Sequence, residues 1–529
     1  MNKVYFFLIL IVIFSFIVRV YKIDSVPPSL TWDEADVGYN AWAIANYGRD
    51  EYGKFFPLYF KSFGDDKQPI HIYITAIFVK LFGLSEFSTR LPAAIFGTLN
   101  ALLIFFLAKM LFKSDTVGLL SAFFLSISPQ NIHFSRFNHE VNFALFFFIL
   151  GLVIFYFFIK RGKFLYFSLL SFILSMISYR TSEIITPLIL FTLIFMYRKK
   201  IFENKNNLLL SAIILITFIT MFIVEPRLAG GARFNQTVQG NSDIERTQLF
   251  KQTHNYLLGR INLFFLQYSW HFDPKFLFIS GDKNPRLSSQ GAGEFYKIDA
   301  IFLILGFLSL IRKKSKEGVL LLVWALLGPL PSALFAEAPH GARASFMMGS
   351  WHIIAALGFY SLINSFKKTF SKWSIGIIFT IILLFSLSNY FKDYLTEFPK
   401  RYAIDWQYGM KQVVEFVKTH EEYSQVSITD VRSQPYVFFL YYLKTPLPEY
   451  LNTVVYNRSR ENKSYNTVSN FDRYYFGGWD PIESLPERGV LYIITSSQFD
   501  GLRHKSSFEV KKIIYYPNET IAFYVITSL

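Results

Sequence analysis

VYFFLILIVIFSFIVRVYKIDSVPPSLTWDEADVGYNAWAIANYG (Val4–Gly48) sets a largely apolar run against two adjacent carboxylates, Asp33 and Glu34. The run Val4–Val20 is close to the roughly 20 residues that a helix needs to cross about 30 Å of hydrocarbon. No small-residue cleavage pattern follows it, so it reads as a retained anchor rather than a removed leader. The acidic pair opens a second helix. Thr31 with Glu34 three residues on forms a capping box, and Gly48 supplies the stop. Tyr39, Trp42 and Tyr47 suit the interfacial zone, where amphipathic rings settle.

The rest of the chain repeats the apolar theme. Its 529 residues are 52% hydrophobic with 61 Phe, and only 17% are charged, against about a quarter in an ordinary globular domain. About eleven apolar blocks precede residue 392. They fall at 4–20, 91–112, 116–134, 142–159, 164–179, 183–197, 208–224, 298–311, 318–335, 344–363 and 374–391. The expectation is a multi-pass α-helical membrane protein. The net charge of +15 could suggest a nucleic-acid partner, but its placement argues otherwise. KRGK (160–163), RKKIFENK (198–205), RKKSKE (312–317) and KKTFSK (367–372) each lie between two apolar blocks, as cytoplasmic loops do under the positive-inside rule. With no cysteine, disulfide and thiolate chemistry are excluded.

That orientation puts residues 21–90, the turns 135–141, 180–183 and 336–343, the loop 225–297 and the tail on the opposite, extracytoplasmic face. Within 21–90 a second surface helix is expected from Pro69 to about Gly83. From 392 the composition changes. YAIDWQYGMKQVVEFVKTH (402–420) has helical apolar spacing, while SQVSITD (424–430), GVLYIITSS (489–497) and TIAFYVITS (520–528) read as strands. The expected organisation is a transmembrane domain, 1–391, with interfacial helices in its first outer loop, followed by an extracytoplasmic α/β domain, 392–529.

Candidate chemistry lies on the outer face. Asp33 sits at a helix N-terminus, where the dipole favours the ionised form a base requires; Glu34 already has work as the cap. Lys67 precedes the second surface helix and suits an anion, with a snorkelling interfacial lysine as the bland alternative. Asp65 and Asp66 partly offset its charge. SPQNIHFSRFNHEVNFA (128–144) crowds Arg136, His139 and Glu140 into one turn. SYRTSE adds Arg180 and Glu183, and EAPHGARA adds Glu337, His340 and Arg343. Three short turns that each pair an arginine with an acid suggest a polar lining for an anionic ligand.

TWDEADVGYNA (31–41), GRDEYGKFFPLYFKSFGDDKQPIHIYI (48–74), LFGLSEFSTRLPAAIFGTLNALLIFFLAKMLF (81–112) and SISPQNIHFSRFNHEVNFALF (126–146) resemble bacterial membrane glycosyltransferases of the GT-C class. The branch is family 39, related to protein O-mannosyltransferases and lipid A aminoarabinose transferases. The resemblance covers about the first third of the chain. It implies a GT-C fold and a hexosyl or pentosyl donor on a polyprenyl phosphate, presented from the outer leaflet of the cytoplasmic membrane. The acceptor would be a lipid, glycan or protein hydroxyl. The family's acidic pair falls on Asp33, as catalytic base, and Glu34. The lysine of its Lys-Pro-Pro segment falls on Lys67, near the donor phosphate, although this chain reads Lys67-Gln68-Pro69. The acid of the second outer turn falls on Glu140, positioning the acceptor with His139. Arg136, Arg180, His340 and Arg343 join the phosphate-binding set on charge and topology alone.

One base implies a single, inverting displacement; a second carboxyl near the sugar, Glu140, keeps a two-step route open. No metal cage is evident, and a divalent cation would find only Asp33, Glu34 and Glu140 as oxygen ligands. The rival reading is a transporter or flippase for a lipid-linked glycan. It calls for ionisable mid-span residues and broken helices in related halves, neither of which the sequence displays.

Overall fold

A computed structural model describes residues 3–226, 239–457, 466–478 and 486–529. The stretch 227–238 of the expected long outer loop lies outside the described residues. The chain forms two compact units, one of residues 1–21 with 93–394, the other of 22–92 with 395–529. The units do not follow chain order: residues 22–92 pack in the same unit as the tail.

The first unit is helical. Among the described residues, seven helices are long and apolar enough to cross a membrane: α1 (Lys3–Val20), Glu86–Phe112, Val141–Arg161, Lys205–Val224, Lys316–Ala333, Ser345–Ser365 and Thr369–Arg401. The other expected blocks are also helical, as Asp115–Ile127, Leu165–Met176, Arg180–Glu203 and Asp299–Lys313. The block 116–134 is split because Ser128 caps a new helix with Pro129 at its first position, and proline there cannot continue the preceding helix. Large apolar side chains such as Phe191, Ile223, Phe370 and Trp373 stand exposed on these helices. Apolar faces of that extent need lipid around them. The protein is a multi-pass membrane protein.

Two of these helices meet backbone to backbone. A Cβ on Gly306 of Asp299–Lys313 would collide with the Ile354 carbonyl oxygen, and one on Gly358 of Ser350–Ser365 with that of Phe302. Small residues permit this approach, and van der Waals contact then replaces the hydrophobic drive that lipid removes.

In the second unit α2 (Trp32–Tyr47) leads to a hairpin of β1 (Phe60–Ser62) and β2 (Asp65–Lys67), then to α3 (Ile70–Phe82) and the first turns of α4 (Glu86–Phe112). The hairpin turns on Phe63 and Gly64, both with positive φ (52° and 80°), the geometry that matches the twist of two tightly joined strands. The tail contributes β3 (Gln425–Thr429), β4 (Val455–Tyr456), β5 (Val468–Phe471), β6 (Tyr474–Gly477), β7 (Val490–Thr495), β8 (Phe508–Tyr515) and β9 (Ile521–Ser528). They form one mixed sheet in the order β4-β5-β6-β3-β7-β9-β8. β3 runs parallel to both its neighbours, β6 and β7, and every residue of β7 is buried, as expected of a strand covered on both faces. Tyr39, Ile44, Phe60 and Ile72 share one buried cluster with Val413, Tyr436, Phe439, Tyr450 and Phe471 of the tail.

The glycine crossing gives a direct test. Gly358→Leu should overpack the contact and cost about 1–3 kcal/mol or more, read as a lower thermal midpoint and lost monodisperse protein in detergent. Gly376→Ala, where a methyl meets only Ile363 at an ordinary 3.7 Å, should change neither.

Candidate functional site

The start of α2 is built as its sequence dictates. Thr31 caps the helix, its hydroxyl accepting from the Glu34 N–H while the Glu34 carboxylate accepts from the Thr31 N–H. Gly48 ends the helix in the left-handed region. Glu34 is fully buried and does more than cap. Arg90, also fully buried, donates from Nε to its Oε1 at 2.9 Å and from Nη2 to its Oε2 at 3.1 Å. The other Arg90 donors go to the carbonyls of Ile23, Pro27 and Ser29. This ion pair clamps the segment leading into the helix. Sequence reading missed Arg90; its signal was a lone guanidinium at the head of an otherwise apolar helix, FSTRLPAAIF.

Asp33, one residue away, points elsewhere. Its side chain is 49% exposed, and its Oδ1 lies 2.8 Å from the Lys67 ammonium, which is 10% exposed. Lys67 comes from the end of β2, brought across by the hairpin turn, and Pro69 then opens α3. Sequence reading placed Lys67 beside that helix but did not see its second partner. Asp36, one turn after Asp33 and fully buried, lies 3.2 Å from the same ammonium. Residues i and i+3 share a helix face, so the pairing was available in the sequence once α2 was recognised.

Behind Asp36 lies a group of buried polar side chains. The Asp36 carboxylate accepts from Ser62 Oγ at 2.8 Å and Asn40 Nδ2 at 2.9 Å. Asn40 Oδ1 accepts from the Glu51 N–H, and Glu51 is itself buried beside the Tyr436 hydroxyl. Burial pushes the Asp36 carboxyl above its ordinary value, opposed by the Lys67 charge and the Ser62 hydroxyl. Burial, with Asp36 and Asp50 nearby, pushes Glu51 well above its own.

The remaining candidates lie in the first unit. Arg136 is fully buried and donates to the carbonyls of Val18, Arg19 and Tyr21, capping backbone acceptors at the end of α1. His139 Nδ1 lies 3.2 Å from the Glu140 carboxylate, and the His139 ring contacts Tyr179 at 5.6 Å. That contact brings the turn 135–141 against the turn containing Arg180, whose guanidinium is 3.9 Å from Glu183. Arg343 lies 3.9 Å from Glu337 and donates to the Ala336 carbonyl, while its own N–H donates to His340 Nδ1. Among the described residues no group of three or more His, Asp or Glu could hold a metal ion.

Residues 66–223 match the family model described as dolichyl-phosphate-mannose-protein mannosyltransferase. Of solved structures, ArnT from Cupriavidus metallidurans bound to undecaprenyl phosphate is similar at 12% identity and TM-score 0.56, over 98% of this chain and 97% of that one. An Archaeoglobus fulgidus oligosaccharyltransferase in complex with zinc and sulfate is similar at 14% identity and TM-score 0.53, over 98% of this chain and 72% of that one. The chain spans 63% of the length of oligosaccharyltransferase AglB from the same organism. No curated protein sequence matches it. At such identities the likeness is one of fold: a helical GT-C-type fold with a strand-rich C-terminal part, as the sequence resemblance implies.

Two tests follow from the buried groups. Arg90→Ala leaves the Glu34 charge buried without its counter-ion and should cost about 3–5 kcal/mol, seen as a large fall in thermal midpoint; Asp33→Asn should leave the midpoint within a few degrees. Glu51 takes up protons more readily folded than unfolded, so its contribution is present at low pH and is lost as pH rises above its ordinary 4.5. Glu51→Gln should therefore raise the thermal midpoint more at pH 8 than at pH 5; an equal change at both would show that Glu51 does not titrate in this way.

Proposed function

We propose that this protein is a glycosyltransferase that moves a sugar from a polyprenyl-phosphate donor to an acceptor hydroxyl on the outer face of the cytoplasmic membrane. The observation that carries the reading is Asp33: a half-exposed carboxylate on a helix clamped from behind, held 2.8 Å from a lysine ammonium. In this mechanism Asp33 takes the proton of the acceptor hydroxyl as its oxygen bonds to the anomeric carbon. The bond from that carbon to the phosphate oxygen breaks on the opposite face, and its electron pair leaves with the polyprenyl phosphate. Lys67 supplies positive charge where the leaving phosphate gains its negative charge. One displacement inverts the anomeric centre.

Glu34 serves this chemistry by holding α2 rather than by exchanging protons. The Lys67 ammonium lies between Asp33 and Asp36, 2.8 Å from one carboxylate and 3.2 Å from the other. In the first unit, Arg180, His340 and Arg343 stand as candidates for phosphate contact, and Glu140 with His139 for acceptor positioning. Arg136 serves first as the cap of α1. The family match over 66–223 and the fold shared with ArnT, in a structure bound to undecaprenyl phosphate, support a lipid-linked donor.

Membranes containing the wild-type chain, incubated with a panel of labelled polyprenyl-phosphate sugars, should yield a glycosylated product identifiable by mass spectrometry. Asp33→Asn should insert and fold yet lose roughly 10²–10⁴-fold in turnover, the usual worth of a general base. Full turnover would remove Asp33 from that role. Lys67→Ala should weaken donor use, chiefly through kcat; a change in protein abundance alone would make it an interfacial anchor.

A further inference from the structure

Asp36 has no part in the mechanism just described, yet it is a closely held acid of the unit. It is fully buried, and donors from three directions converge on it: Lys67 from β2, Ser62 from β1 and Asn40 from its own helix. The titratable groups whose charges act on it are Lys67 and Asp33, with Glu51 and the Tyr52 and Tyr436 hydroxyls farther behind. An acid buried at this cost needs a compensating partner, and Lys67 is the cation beside it.

The lysine needs Asp36 in turn. A four-carbon stem ending in a point charge is flexible, and holding it in one place opposes its rotamer entropy. Asp33 alone is a poor anchor for that purpose. It is half exposed, and the moment it takes the acceptor's proton it loses the charge that attracts the ammonium. That is also the moment at which the departing phosphate gains charge and the cation counts most. A second carboxylate, shielded from water and not exchanging protons with the acceptor, keeps its hold throughout.

We propose that Asp36 is the positioning residue for Lys67, fixing the ammonium beside Asp33 before, during and after transfer. The proposal rests on the reading of Asp33 and Lys67 given above. Charge is conserved in it: the set Asp33, Lys67, Asp36 passes from one net negative charge to neutral as Asp33 gains its proton, while the phosphate gains the charge released.

The test uses the full-length protein in membranes and reads Lys67 directly. Competitive acetylation with acetic anhydride, quantified by peptide mass spectrometry, compares Lys67 with Lys54 and Lys80 of the same unit. In Asp36→Asn the relative reactivity of Lys67 should rise roughly tenfold, the equivalent of one pKa unit, with the two reference lysines unchanged. In the transfer assay the same variant should lose about tenfold or more in kcat, with the donor KM changed less than about threefold, the mark of an interaction that matters in the transition state. Unchanged Lys67 reactivity overturns the proposal whatever the activity. Raised reactivity in a protein whose wild type uses none of the polyprenyl-phosphate sugars supports the placement and overturns the catalytic reading instead. Should Asp36→Asn fail to fold, Ser62→Ala removes a donor from Asp36 without removing charge. It should raise Lys67 reactivity in the same direction, and no rise there also overturns the proposal.

Discussion

The guanidinium of Arg90 organises the second unit's approach to its site. Residues 23–31 form no helix or strand, and such a segment needs partners for its backbone carbonyls when it is buried. Arg90 supplies them for Ile23, Pro27 and Ser29 and closes on both oxygens of Glu34. Few side chains could do this: the fork is rigid, always charged and more weakly hydrated than an ammonium. The consequence is directional. With Glu34 bolted down, the azimuth of every other residue in the first turns of α2 is set, including those of Asp33 and Asp36.

Three acids within four residues thereby acquire three environments. Glu34 faces inward to Arg90, Asp33 faces half into solvent, and Asp36 is buried against Ser62 and Asn40. Adjacency in sequence misleads here because a helix rotates about 100° per residue. The neighbours Asp33 and Glu34 diverge, while Asp33 and Asp36 converge on one ammonium. The low dielectric behind Asp36 and Glu51 strengthens each of these contacts and makes each orphaned group expensive.

The first unit handles its charges in a comparable way. Arg19 and Arg136 are both fully buried and are met by carbonyls and amide or hydroxyl oxygens, Arg19 by Ser15, Leu125, Ser126, Asn131 and Ser135. Inside lipid every polar group needs such a partner, whereas the lipid-facing residues need only be apolar. The likeness to ArnT, at 12% identity, is one of fold.

Much of this was legible in the amino-acid sequence because it is local. The Thr31–Glu34 capping box, the Gly48 stop, the start of α3 after Pro69, the apolar helices and the strands β3, β7 and β9 each depend on residues within a few positions of one another. β8 was not legible: FEVKKIIY (508–515) reads as charged surface, since a strand at the edge of a sheet buries little. Nor was the grouping of residues 22–92 with the tail, or the partnership of Arg90 with Glu34 and of Lys67 with Asp36. Those are decided by burial between segments tens to hundreds of residues apart, and no short window of sequence carries that information. Local composition determined which helices and caps form; only packing decided which charge meets which.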